Sequence, residues 1–246
     1  MTSYQDPKSA LKYLEFLNSP DGKIQRSILL AYLKAHLPEQ KDMAILDVGC
    51  GSGWLVKALS EKYSKFSGCD ISPELIAEAK KNFPAGNFVV ADICKTQPFG
   101  DQNFDVIILN MVAHDLENQK TAFLNVQKML KPKGLMLLTI INPYYAFPAG
   151  QWKRGLLRFL LGKKPKLILE AYNSFAKKDR QFFWQKNIPG YFYTLPETIN
   201  NILSAKFTLR QLEEVTSKED SKNFDLNYRL YRFPIILLLK FEKSAE

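Results

Sequence analysis

The chain has little of several things that would narrow its chemistry early. It has two histidines in 246 residues, His36 and His114. They are too few and too isolated for a histidine-based metal site, so no metal is expected. It has three cysteines, Cys50, Cys69 and Cys94. The odd count and the lack of a CxxC pair argue against a disulfide framework and against structural zinc. Free thiols fit a reducing, cytoplasmic setting. Long apolar runs are missing too. The longest strictly aliphatic stretch, Ile235 to Leu239, is far too short to span a bilayer. The opening MTSYQDPKSA is polar and has no apolar core segment, so no secretory leader is expected. There are no internal repeats and no low-complexity tract.

What is present reads as a globular chain. Apolar residues make up 46% and charged residues 24%, which argues against wholesale disorder. The length fits one large domain, or one domain carrying an insertion. The formal net charge is +9, and its distribution says more than its size. Residues 151–190 hold ten basic residues and only two acids, Glu170 and Asp179. Nearly all of the excess is therefore local, and the rest of the chain is close to neutral.

Residues 1–43 carry apolar positions at roughly helical spacing, broken by Ser19-Pro20-Asp21-Gly22. The texture changes at Ala44. Short apolar runs (Ala44–Val48, Phe66–Asp70, Phe88–Ala91, Phe104–Asn110 and Leu135–Ile141) alternate with helical patterns at Trp54–Glu61, Ser72–Asn82 and Glu117–Leu130. Ser72 suits an N-cap and Pro73 a first helical position. Strands that are nearly continuous in apolar residues predict a parallel sheet covered on both faces. Right-handed crossovers make it an open, doubly wound α/β sheet, which binds ligands beyond the carboxyl ends of its strands. Regularity lapses from Pro143 to Tyr193, a stretch rich in aromatics as well as cations. About fifty residues is too long for a plain loop, so 143–193 reads as an inserted cap. A helix (Leu195–Ala205) and two strands (Phe207–Val215, Phe233–Phe241) follow. The strands are predicted antiparallel, joined by a polar connection with no helical pattern.

The densest signal is Ile45-Leu46-Asp47-Val48-Gly49-Cys50-Gly51-Ser52-Gly53. A buried strand ends in an acid and passes into glycines at alternate positions. Such glycines let the backbone turn tightly and approach a ligand closely. The helix that follows offers free N–H groups to an anionic group. Asp70, at the end of the second strand, can accept hydrogen bonds from both hydroxyls of a ribose. A nicotinamide dinucleotide fits less well, because the third glycine of its G-x-G-x-x-G fingerprint falls at Trp54.

The nine-residue run resembles the first motif of class I S-adenosylmethionine-dependent methyltransferases. The similarity continues through Gly68-Cys69-Asp70-Ile71-Ser72-Pro73-Glu74, Val90-Ala91-Asp92-Ile93, Phe104–Asn110 and the Leu130-Lys131-Pro132-Lys133-Gly134 turn. It covers about residues 43–142. The resemblance implies a Rossmann-like, mostly parallel seven-stranded sheet of order 3-2-1-4-5-7-6, with an antiparallel C-terminal strand, in an α-β-α sandwich. It implies S-adenosylmethionine as cofactor and S-adenosylhomocysteine as product. Gly49, Gly51 and Gly53 would flank the methionine part of the cofactor, and Asp47 would sit near its amino group. Asp70 would hold the ribose, and Ile71 would pack on the adenine. Asp92 would meet the adenine amino group beside the Ile93 backbone. Asn110 and Met111 would lie under the sulfonium. In similar enzymes an N-terminal segment covers the cofactor. Tyr4 and Tyr13 are candidates for that role here, and Arg26 could meet the cofactor carboxylate.

The acceptor is expected to be an oxygen or nitrogen of a small molecule. His114, just after the fourth strand, is the candidate base, with an unperturbed pKa of about 6.5 and Asp115 beside it. Asn142-Pro143-Tyr144-Tyr145 looks like the Asn-Pro-Pro-Tyr signature of nucleic-acid and glutamine N-methyltransferases. It follows the fifth strand rather than the fourth and lacks the second proline, so nucleobase methylation is not expected. Tyr144, Tyr145 and Phe147 are instead expected to open the cap and line the acceptor pocket. Trp152–Leu161 mixes cations with an apolar face, like a cap helix or a basic amphipathic helix on an anionic membrane. Peripheral membrane contact through 152–166, a lipidic or nucleic-acid acceptor, and a non-catalytic cofactor-binding protein stay open as alternatives. No obligate partner is evident.

Overall fold

The computed structural model describes residues 3–100, 102–145, 150–153, 166–169, 176–180, 188–219 and 226–244. At 150–153, 166–169, 176–180, 188–189 and 192 the description is of the backbone alone. Two helices come first, α1 (Pro7–Asn18) and α2 (Pro20–His36). Ser19 serves both. Its N–H donates to the Glu15 and Phe16 carbonyls to close α1, and its hydroxyl accepts the Gly22 N–H to open α2. Asp6 caps α1 by accepting from the Lys8 and Ser9 amides.

The alternating segment follows as β1 (Ala44–Val48), α3 (Trp54–Leu59), β2 (Lys65–Asp70), α4 (Pro73–Asn82), β3 (Asn87–Val90), β4 (Phe104–Asn110), α5 (Gln119–Met129) and β5 (Leu130–Ile141). Ser72 caps α4 as expected, its hydroxyl accepting the Leu75 N–H at 3.3 Å. Residues 143–193 hold β6 (Gly150–Lys153), β7 (Lys166–Leu169), β8 (Ala176–Arg180) and β9 (Ile188–Phe192). After them come α6 (Leu195–Ser204), β10 (Phe207–Val215), α7 (Leu226–Arg232) and β11 (Ile236–Lys243).

The main sheet runs β3-β2-β1-β4-β5-β11-β10. Among the seven strands that is the order 3-2-1-4-5-7-6 implied by the resemblance. All pairings are parallel except those of β11, which is antiparallel to both β5 and β10. Strand side chains alternate faces, and in the central strands both faces are buried. Leu46, Val48, Ile107 and Leu109 join a core with Phe123 of α5 and Ile202 of α6. Ile45, Val106 and Ile108 join the opposite core with Leu29 and Leu33 of α2, Leu55 of α3, Ile76 of α4 and Leu230 of α7. This is the three-layer sandwich, and it explains why the strands lack polar alternation. Among the described residues, no helix is long and apolar enough to cross a membrane.

Three expectations need correction. The connection between β10 and β11 is not without helix: α7 lies in it, fixed by Asp21, which accepts the Leu226 N–H at 3.0 Å and pairs with Arg229. Residues 143–193 are not uniformly irregular, since β6 pairs antiparallel with β7 and β8 with β9. Trp152 and Lys153 lie in β6, so the proposed basic helix does not begin there; residues 154–165 are outside the described set. In addition, the Lys131-Pro132-Lys133-Gly134 turn is absorbed into β5 as a register shift, with Lys133 at φ +59°.

Candidate functional site

The site is built at the carboxyl edge of the sheet, where β1 gives way to glycines. Gly49, Gly51 and Gly53 all have positive φ, at +69°, +52° and +71°. Space disfavours a side chain as well, by overlap at Gly49 and by tight contact at Gly51 and at Gly53, where a Cβ would stand 3.1 Å from Ala79 Cβ. A Cβ on Gly49 would stand 2.3 Å from Val112 Cγ2, and one on Gly51 would stand 3.2 Å from the Tyr13 ring. The loop is pinned from several sides. The Gly49 and Cys50 amides donate to the Cys69 carbonyl, and Asn82 Nδ2 donates to the Ser52 carbonyl at 2.9 Å.

Asp70 sits at the end of β2 and is 8% exposed. One of its oxygens accepts the Gly51 N–H and the other accepts the Ser72 N–H, each at 2.9 Å. Burial raises its pKa, and these amides oppose the rise. An ionised carboxylate has about four acceptor positions, so both oxygens keep capacity for hydroxyls. Asp47 ends β1, is 3% exposed, and its Oδ1 is buried without a hydrogen-bond partner. Burial, reinforced by the Asp70 charge, pushes its pKa up to about 8.

Tyr13 of α1 lies over this loop. Burial of its hydroxyl, with Asp70 and Asp47 nearby, drives the phenol pKa upward, while Arg26 draws it down. Tyr4 meets Tyr13 edge to face, with centroids 5.8 Å apart. Arg26 of α2 lies 5.9 Å from the Trp54 ring, and its Nε is buried with no partner. A buried donor and a buried acceptor left unpaired in one cradle fit a ligand that carries both an ammonium and a carboxylate. The residues therefore suit the amino-acid end of S-adenosylmethionine.

Beyond β2 and β3 a cleft of about 520 Å³ opens, lined by Ile71, Val90, Asp92, Thr96 and Gln5. Asp92 also holds its own turn, accepting the Cys94 N–H at 3.0 Å and pairing with Lys95. Ile93 points into the core, and its carbonyl already accepts from Asn125 Nδ2 at 2.8 Å.

The end of β4 is held by a residue the sequence reading missed. Thr139 of β5 is fully buried. Its hydroxyl donates to Asn110 Oδ1 at 2.7 Å and accepts the Met111 N–H at 3.0 Å. Met111 is thereby kept at φ +61°, a strained conformation for a non-glycine residue. A lone threonine in the apolar run Met136–Ile141 was the available signal. His114 follows in a single 3-10 turn (Ala113–Asp115), with Nε2 3.6 Å from Asp115 Oδ2. Strand β9 packs against this turn and against Ser3–Gln5. Burial and a hydrogen bond to Glu117 push the Tyr191 pKa up to about 12, and the Tyr193 hydroxyl donates to the Glu117 carbonyl at 2.7 Å. Neither tyrosine was singled out beforehand.

Asn142-Pro143-Tyr144-Tyr145 is braced by distant partners. Asn142 Nδ2 donates to the Pro234 carbonyl, and its Oδ1 accepts the Tyr144 N–H. Tyr145 packs its ring on Phe233 at 6.0 Å, and Tyr144 is 43% exposed. Phe147 lies outside the described residues. His36 is tied to the Tyr32 carbonyl and to Glu213, far from the cradle in the chain's architecture.

Known proteins resemble the chain in the same places. Residues 46–138 match the family described as methyltransferase domain. A ubiquinone biosynthesis O-methyltransferase of Rickettsia bellii is 26% identical over 214 residues, covering 85% of this chain and 82% of that one. A solved S-adenosylmethionine-dependent methyltransferase from Mesorhizobium loti superposes with a TM-score of 0.69 at 23% identity, over 92% of this chain and 98% of that one. The N-methyltransferase NodS from Bradyrhizobium japonicum, solved with S-adenosylhomocysteine, shares the fold with a TM-score of 0.58 at 15% identity over both full chains. A doubly wound sheet alone hosts many chemistries. Here the family match falls on the segment that builds the cradle: residues 46–138 match a methyltransferase domain, and solved S-adenosylmethionine-dependent methyltransferases share the fold around it.

Proposed function

We propose that this methyltransferase modifies an oxygen or nitrogen of a small molecule held between the carboxyl edge of the sheet and a cap formed by 143–193. The observation that carries this reading is the turn after β4, where His114 faces Asp115 immediately beyond the Thr139-fixed pair Asn110 and Met111. When bound, S-adenosylmethionine supplies an electrophilic methyl group on a sulfonium leaving group. The chain's own task is then alignment and exclusion of water. The glycine loop and Asp47 receive the amino-acid end, with Arg26 at its carboxylate. Asp70 holds the ribose, Ile71 and Asp92 flank the adenine in the cleft, and Tyr13 with Tyr4 closes over the top. His114 accepts the acceptor proton at an imidazole nitrogen, and Asp115 orients the ring and balances its charge. An oxygen acceptor is supported by the name of the Rickettsia relative. The free thiols support a cytoplasmic setting.

The test is a thermal shift with S-adenosylhomocysteine, with NAD in parallel. At a hundred times its dissociation constant a ligand stabilises the native state by about 2.7 kcal/mol, or roughly 5–10 °C for a chain this size. A shift with NAD alone would reverse the reading. Acceptors are then screened by mass gain, and His114→Asn is assayed across pH. An unchanged pH profile removes His114 from catalysis.

A further inference from the structure

Two carboxylates share the floor of the cradle and are treated differently. Asp70 accepts two backbone N–H groups, from Gly51 and Ser72. Asp47 is buried at least as deeply, yet its Oδ1 has no partner. Two charges side by side in a dry site repel, so the pair retains a proton where isolated acids would lose theirs. Hydrogen bonds donated to a carboxylate favour its ionised form, so the charge settles on Asp70 and the proton on Asp47. The other titratable groups facing Asp47 do not compete near neutral pH. Tyr13 from α1, Cys50 from the glycine loop and Cys69 from β2 are held protonated by burial and by the same two acids. Arg26 from α2 is the cation of the set.

We infer that Asp47 carries a proton before the cofactor docks, and that docking of a molecule bearing an α-ammonium group expels that proton to solvent, one for one. The only covalent change is loss of the Asp47 O–H, with the proton passing to the buffer. The arriving ammonium favours the charged carboxylate, as any nearby cation does. Burial that pushes Asp47 up to about 8 sets the exchange near physiological pH. Linkage then makes affinity rise with pH by up to tenfold per unit between about pH 6 and 8, and level off above. The inference rests on reading Asp47 as the partner of the cofactor amino group.

The experiment is calorimetric titration of the full chain with S-adenosylhomocysteine at pH 7 in phosphate, HEPES and Tris, whose ionisation enthalpies differ. The expected slope corresponds to nearly one proton released per ligand, with close to tenfold tighter binding at pH 7 than at pH 6. Methylthioadenosine, which lacks the amino-acid end, is expected to bind without proton release. Asp47→Asn is expected to bind S-adenosylhomocysteine more weakly, with no release and no pH dependence. Zero release with flat affinity overturns the inference while leaving the cofactor reading intact. Equal release with methylthioadenosine also overturns it, and that comparison needs no variant to fold. Absence of any S-adenosylhomocysteine binding overturns the cofactor reading, and the inference with it.

Discussion

The two edges of the sheet hold their acids on opposite terms. At the amino-terminal edge, Asp105 of β4 accepts the Ala44 N–H at 2.8 Å and pairs with Lys131 Nζ at 2.8 Å. Despite some desolvation, these partners hold its pKa below the usual carboxylate range. At the carboxyl edge, Asp47 is buried with an unpaired oxygen and stands far above that range. The satisfied acid stitches β1, β4 and the start of β5 together. The unsatisfied one raises the free energy of the protein by itself and becomes favourable only with a ligand. Polar groups left unpaired in an otherwise well-paired fold mark where stability gives way to binding.

The largest test of that contrast is at Asp70. Asp70→Ala is expected to remove most of the 5–10 °C shift that saturating S-adenosylhomocysteine gives in roughly this size of chain, as read by thermal denaturation. Next is Gly49→Ala, where positive φ combines with a contact on Val112. A loss of about 2–4 kcal/mol in urea unfolding is expected, and Val112→Ala in the same chain should recover only the steric part. Asp47 and Asp105 should then show opposite pH signatures. Folded Asp47 keeps its proton above pH 4 while the unfolded chain has lost it, so its contribution to stability falls as pH rises towards 8. Asp47→Asn should therefore gain on the wild type between pH 5 and pH 8, by at least about 1 kcal/mol. Asp105 has a depressed pKa, so its contribution is present above about pH 4 and is lost as pH falls below that. Asp105→Asn keeps an acceptor for Ala44 and should cost only about 1 kcal/mol at pH 7. Equal pH slopes for the two variants would erase the distinction between the edges.

Much of this was legible from local pattern. The apolar runs, the Ser72-Pro73 start of α4 and the glycine loop each declare themselves within a few residues, because capping and tight turns are local physics. The seven-strand order came from resemblance, since crossover rules alone do not place the last two strands. What escaped notice depends on distant partners. In α7 the buried positions Leu226, Tyr228 and Leu230 alternate like a strand, and the helix is fixed by distant partners, Asp21 some two hundred residues earlier and the core around Leu29 and Leu33. Asn142 donates to the Pro234 carbonyl across a gap of about ninety residues, a brace that no local pattern announces. Thr139 reads as an ordinary strand residue, and its hydrogen bond to Asn110 on the neighbouring strand is a matter of tertiary register. Asp47 and Asp70 read alike in the sequence. Backbone donors reach only one of them, and that difference exists solely in three dimensions.

The position of β11 has a consequence for how the chain assembles. Within the main sheet, β10 pairs only with β11, and β11 also zips onto β5. β10 must therefore wait for the later segment β11 before it gains a strand neighbour in the main sheet. A nascent chain halted between them would leave the apolar flank of β5 bare and sticky. Apolar strand surface that stays uncovered until its partner arrives is the kind that aggregates during folding.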